Sequence, residues 1–156
     1  MPVQGRPNRV LSEGRLMSMI AVLAGSGILM LLGLIHLYWA AGGKWGTKGV
    51  LPVREGETEP LFEPRPAGTA VIAVILFAIS IMVLAHGGLL PGFGPNVVTG
   101  WGCTIFAAAF LLRAIGDFRY LGFFKRVKST RFAAMDTQLY SPLCLLMAVL
   151  LYLASL

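Results

Sequence analysis

Few side chains in this sequence are equipped for chemistry, and they fall in pairs at helical spacing. His36 and Trp39 stand three apart, Arg113 and Asp117 four apart, and Asp136 and Tyr140 four apart, so on helices each pair shares a face. An imidazole beside a carboxylate can move a proton near neutral pH, with His36 as acid or base and Asp117 or Asp136 as its partner. Arg113 would orient an anionic headgroup or pair with Asp117 or Asp136, and Trp39 and Tyr140 would complete a ligand-binding rim. The catalytic candidates are therefore His36, Asp117 and Asp136, and the ligand-binding candidates Trp39, Arg113 and Tyr140. The competing expectation is structural: a satisfied polar network fixing helix ends, with Tyr38, Trp39 and Tyr120 in the aromatic belt of a membrane interface.

The elements that must position these residues follow from hydropathy. The chain has 156 residues, 56% hydrophobic and 13% charged, which is outside the range of ordinary soluble domains. No charge interrupts Leu16 to Gly43, Pro66 to Leu112, or Thr137 to Leu156. A helix needs about 20 apolar residues to cross a hydrocarbon core. The middle run is too long for one crossing, and Gly87-Gly88-Leu89-Leu90-Pro91-Gly92-Phe93-Gly94-Pro95-Asn96 divides it. The expectation is an all-α integral membrane four-helix bundle following an N-terminal tail at 1–15, with helices at about 16–40, 67–90, 97–118 and 137–155. The first apolar stretch far exceeds the about 7 to 15 residues of a secretory signal, so it reads as a retained helix.

Four crossings put both termini on one side and the longer loops, 41–66 and 119–136, on the other. His36, Arg113, Asp117, Asp136 and Tyr140 then gather at the two-loop end. That side carries nine basic residues, Lys44, Lys48, Arg54, Arg65, Arg119, Lys125, Arg126, Lys128 and Arg131, against three, Arg6, Arg9 and Arg15, on the other. The excess predicts cytoplasmic loops. The counter-expectation is that the first helix dominates insertion and its arginines hold the N-terminus inside.

The segment from Arg119 to Met135 interleaves aromatic and basic residues. It suits a headgroup layer, where each cation near anionic lipid contributes about 1 kcal/mol. Nucleic acid is not an expected partner, because both ends of this segment are tethered to the membrane. The first loop, with Glu55, Glu57, Glu59 and Glu63, reads as a solvated connector. Small residues at Ala21 and Gly25, and at Gly100, Thr104 and Ala108, allow close helix approach, within the chain or in a homo-oligomer.

Cofactors and metals are not expected. His86 ends the second helix at the opposite face from His36, and at about 1.5 Å per residue one haem iron cannot take both. The Gly42-to-Thr47 stretch lacks the spacing and strand context of a phosphate loop and instead lets the chain turn. Cys103 and Cys144 begin antiparallel helices at opposite depths, so a disulfide between them is not expected.

Three stretches resemble the family of small bacterial membrane proteins catalogued as domain of unknown function 3995. They are His36-Leu-Tyr-Trp-Ala-Ala-Gly-Gly43 with Leu51-Pro52-Val53, Phe110 through Lys125, and Phe132 through Cys144. The resemblance implies a four-helix membrane protein of bacterial origin and no established activity. Three functions remain in view: a non-catalytic bundle binding lipids or a protein partner, a small intramembrane enzyme acting on a lipid-like substrate through His36, and a channel or carrier.

Overall fold

The computed structural model describes residues 6–47, 49–53 and 60–156, with side chains from residue 12 onward. Lys48, Arg54, Glu55, Glu57 and Glu59 of the first connector lie outside the described residues, as do the side chains of Arg6 and Arg9. The order is α1 (Arg6–Ala40), α2 (Pro66–His86), α3 (Val97–Ile115), α4 (Arg131–Met135), a π-helical turn (Asp136–Tyr140) and α5 (Ser141–Ala154). The last three form one continuous rod, Arg131–Ala154, so four helical rods are long and apolar enough to cross a membrane. Among the described residues the only strand-like pairing is a single bridge between Val53 and Pro60, which closes the first connector.

Helix ends differ from the expected ones for local reasons. The second rod stops at His86 rather than near Leu90, because Gly87 and Gly88 follow, Gly88 with φ +69°. The third stops at Ile115 rather than Phe118, because Gly116 turns out at φ +92°. The fourth begins at Arg131, six residues before Thr137, because Thr130 Oγ1 accepts the Ala133 N–H at 3.1 Å and caps a new N-terminus. Asp136 therefore lies inside a helical rod and not at its entry. The Gly42-Gly43 pair caps α1 as expected: Gly42 N–H donates to Trp39 O and Gly43 N–H to Tyr38 O, both at 3.0 Å.

The helices pack as α1 on α2 and α3 on α5, with α1 also meeting α5 and α2 meeting α3. Val22, Leu29, Leu76, Ile79, Val83, Cys103, Met147 and Leu151 form the buried centre. Glycines allow the close approaches: a Cβ on Gly33 would strike the Phe77 ring, and one on Gly87 the Val22 side chain. Ser80 Oγ donates to Ser26 O at 3.0 Å and ties α2 to α1 deep in the core. Of the small residues expected at interfaces, Gly25 meets Leu150 within the chain, Gly100 faces the His86 ring, and Ala108 points outward.

Only 17% to 33% of the most apolar window of each rod is buried inside the protein. Leu16, Ile20, Leu31, Val74, Ile105 and Leu112 all face outward. Apolar surface on the outside of every helix is stable against acyl chains and costly against water.

Candidate functional site

The polar cluster centres on Asp136, whose side chain is 0% exposed. Its Oδ1 accepts from Arg113 Nη2 at 2.9 Å. Its Oδ2 accepts from the Gly122 N–H at 2.8 Å, Lys125 Nζ at 3.0 Å and Ser141 Oγ at 3.1 Å. A buried carboxylate is tolerated when cations and donors compensate it, and here two cations and two neutral donors do so.

Lys125 is 3% exposed, and its three N–H donors are all used: on Asp136, on Gly122 O at 3.0 Å and on Thr137 Oγ1 at 2.6 Å. The Thr137 hydroxyl donates in turn to Ala133 O at 3.0 Å. The expectation that Lys125 lies in the headgroup layer with its basic neighbours is therefore corrected. It folds back under the loop and becomes the second counter-ion of Asp136, where three acceptors repay the desolvation of its ammonium group.

Local chain features bring these groups together. Pro142 has no N–H to give to Gln138 O, and the helix widens into the π turn over Asp136–Tyr140, where the Ser141 N–H donates to Asp136 O. That widening puts Ser141, five residues on, against the Asp136 carboxylate. It also ends the simple four-residue registry expected of Asp136 and Tyr140. Tyr140 instead turns to the first connector, with Oη 3.5 Å from Gly49 O, and its ring lies 6.2 Å from that of Phe132.

Asp117 does not pair with Arg113, contrary to one of the two pairings considered, because α3 has already ended at Gly116. Its Oδ1 accepts three backbone N–H groups instead, from Arg119 at 2.9 Å, Tyr120 at 2.7 Å and Leu121 at 2.8 Å. Burial pushes this carboxyl up, but the N–H groups of Leu121, Arg119 and Tyr120 outweigh it and hold Asp117 below the usual carboxylate range. The turn it organises closes with Gly116 against Gly122: a Cβ on Gly116 would collide with Leu121 O, and one on Gly122 with Ile115 O. Phe123 N–H then donates to Ala114 O at 2.9 Å and anchors the loop to the end of α3.

His36 sits apart from this network. Its Nδ1 is 2.8 Å from Leu32 O, and Trp39 meets the ring edge-on at 5.2 Å. Trp39 spends its Nε1–H on Trp45 O at 2.8 Å. Among the described residues no hydrogen bond or ion pair joins His36 to Arg113, Asp117 or Asp136, so neither carboxylate acts as its partner here. His86, at the far end, bonds through Nδ1 to Thr99 Oγ1 at 2.8 Å. No group of three His, Cys, Asp or Glu suited to a metal occurs among the described residues. A shallow open groove of about 370 Å³ beside α1 is lined by Leu34, Ile35, Tyr38 and Trp45, none of them in the Asp136 cluster.

Residues 29–151 match the model of a family described as protein of unknown function, DUF3995. The chain belongs to this family. The match spans the whole Arg113–Lys125–Asp136 cluster and the loop that Asp117 organises. No curated protein and no solved structure matches the chain. Sequence spacing missed Lys125, Gly122 and Ser141 as members of the cluster. For Ser141 a signal was present, since Pro142 inside a helix invites widening and shifts the facing partner from i+4 to i+5. For Lys125 and Gly122 no local signal exists, because their place depends on the loop folding back.

Proposed function

We propose that this protein is a non-catalytic helical bundle that crosses the bacterial cell membrane four times and binds lipids or a protein partner. The observation that carries the reading is the saturation of Asp136. Both its oxygens are engaged, two cations hold its charge and it has no exposed surface, so a substrate proton has no path to it. Asp117, though exposed, spends its Oδ1 on three backbone N–H groups of the loop. The two carboxylates that acid–base chemistry would need therefore serve the fold, locking the end of α3, the following loop and the last rod together.

The two-loop end then presents a rigid rim with Phe118, Phe123 and Phe124 exposed beside Arg119, Arg126 and Lys128. Such a rim suits headgroups, and the loops lie on the cytoplasmic side in this reading. Removing Lys125 from the tally of free flanking cations leaves the two-loop side still the richer in basic residues.

One observation favours an enzyme instead. If His36 donates Nδ1–H to Leu32 O, its Nε2 lone pair stays available as a base. A channel draws less support, since the mid-bundle hydroxyls of Ser26 and Ser80 are both spent on backbone carbonyls.

The test is complementation of a deletion strain with wild type or His36→Gln at matched folded levels, followed by whole-cell lipid profiling and co-purification. The non-catalytic reading expects unchanged lipids and unchanged partner recovery. A lipid species that accumulates or disappears in the His36→Gln cells would overturn it in favour of the enzyme.

A further inference from the structure

The donors and acceptors of the Asp136 cluster do not balance, and the imbalance falls on one atom. Two cations face one carboxylate, which leaves a surplus positive charge. Asp136 already answers four donors, and Lys125 has no N–H left to give. All remaining capacity lies on Arg113. Its Nη2 is held by Asp136, while its Nη1 lies beneath the surface with no acceptor among the described residues. A buried guanidinium nitrogen without a partner is costly, and the cost is relieved by an acceptor that carries negative charge.

The position of Arg113 selects the acceptor. It occupies the last turn of α3, its side chain is 33% exposed, and its neighbour Leu112 is 66% exposed. Arg113 thus marks the level at which the apolar helix surface gives way to the basic, aromatic loop. An anion arriving there meets hydrocarbon on one side and a fork-shaped cation on the other. Arginine's planar fork matches phosphate oxygens, and Arg119, Arg126 and Lys128 nearby in the chain raise the local concentration of anionic lipid.

We propose that Arg113 is a seat for one phosphate oxyanion, supplied by an anionic phospholipid headgroup, with Nη1 as its donor and Asp136 as the group that positions the guanidinium. The phosphate enters from the exposed third of the side chain, and the guanidinium tilts to present Nη1 while Nη2 stays on Asp136. This rests on the membrane-bundle reading above and gives it a ligand class.

The experiment is native mass spectrometry of the full chain released from detergent, titrated with phosphatidylglycerol, with phosphatidylcholine, and with phosphatidylglycerol in the presence of potassium phosphate. Wild type retains a first phosphatidylglycerol more tightly than phosphatidylcholine. Arg113→Gln, which leaves Lys125 and Asp136 as a neutral pair, weakens that first binding by about tenfold, the worth of one charge-assisted contact. Arg126→Gln removes the same charge from an exposed position and changes it by less than about twofold. Arg113→Lys keeps the charge and a donor for Asp136, so it carries the test if Arg113→Gln misfolds; its loss of the fork still weakens the first binding. Equal weakening in Arg113→Gln and Arg126→Gln, or none in the Arg113 variants, overturns the proposal. Displacement of the lipid by potassium phosphate overturns the headgroup as source and assigns the seat to the free ion. Failure of the lipid titration leaves the non-catalytic reading standing, since that reading is decided by the His36 lipid profiles.

Discussion

Replacing Asp136 by asparagine tests the central lock with almost no change in shape. The amide has a single oxygen, and the three donors on Oδ2 outnumber the one on Oδ1, so the oxygen turns toward Gly122, Lys125 and Ser141. The NH2 group then faces Arg113 Nη2, donor against donor, where a 2.9 Å ion pair stood. Both cations lose their counter-charge. Removing one partner of a buried pair costs about 3 to 5 kcal/mol, and the partial exposure of Arg113 puts the expected value near the lower end, about 3 kcal/mol. That is a large share of the about 5 to 15 kcal/mol that holds a typical domain folded. The assay is a dodecyl sulfate unfolding titration in mixed micelles, followed by circular dichroism, on wild type, Asp136→Asn, Lys125→Met and the double variant. Lys125→Met loses one ion pair and two neutral contacts but leaves Arg113 and Asp136 as a balanced pair, so it costs less, about 1 to 3 kcal/mol. The double variant removes one of the two stranded cations, and its cost falls below the sum of the singles by about 1 to 2 kcal/mol. Strict additivity, or an Asp136→Asn protein within about 1 kcal/mol of wild type, would refute the account of this cluster as an electrostatic lock.

Three further outcomes follow from the same geometry. Because the folded state holds Asp117 below its ordinary range, its carboxylate stabilises the loop at and above the unfolded value of about 4, and that contribution is lost as pH falls through the lower folded value. Hydrogen exchange at the amides of Arg119, Tyr120 and Leu121 should therefore stay slow from neutral pH down to mildly acid conditions. Exchange corrected for its intrinsic pH dependence should then accelerate only in strong acid, while Asp117→Ala should lose the protection at every pH. Gly116→Ala and Gly122→Ala each put a Cβ onto a carbonyl at a positive φ, so each should cost more than about 1 kcal/mol in the same titration, whereas Gly27→Ala, with open space around it, should not. A reporter active only outside the cytoplasm should give signal when fused after Leu156 and none when inserted in the loop between α3 and α4; the reverse pattern would invert the proposed orientation.

How much was legible beforehand can be judged from particular residues. The four rods were plain because the hydropathy of Leu16 to Gly43 or Pro66 to Leu112 is a sum over neighbours and needs no knowledge of the fold. That Arg113 and Asp136 meet was among the expected pairings, since antiparallel rods bring the end of one helix to the start of the next. Asp117 and Asp136 were indistinguishable as partners for Arg113 until the glycine after Ile115 was seen to end the helix. His36 had the residue type for catalysis, but type does not say which carboxylates are left unoccupied.

Sequence alone thus determined the number of apolar rods, the end of the molecule where its scarce ionisable groups collect, and the family to which it belongs, because transfer from water to hydrocarbon is additive along a chain. Tertiary structure alone decided that Lys125 turns inward beside Gly122, and that one nitrogen of Arg113 has no acceptor among the described residues. Those outcomes depend on how a loop folds back, and charge pairing at about 3 Å is decided by distances that residue spacing does not encode.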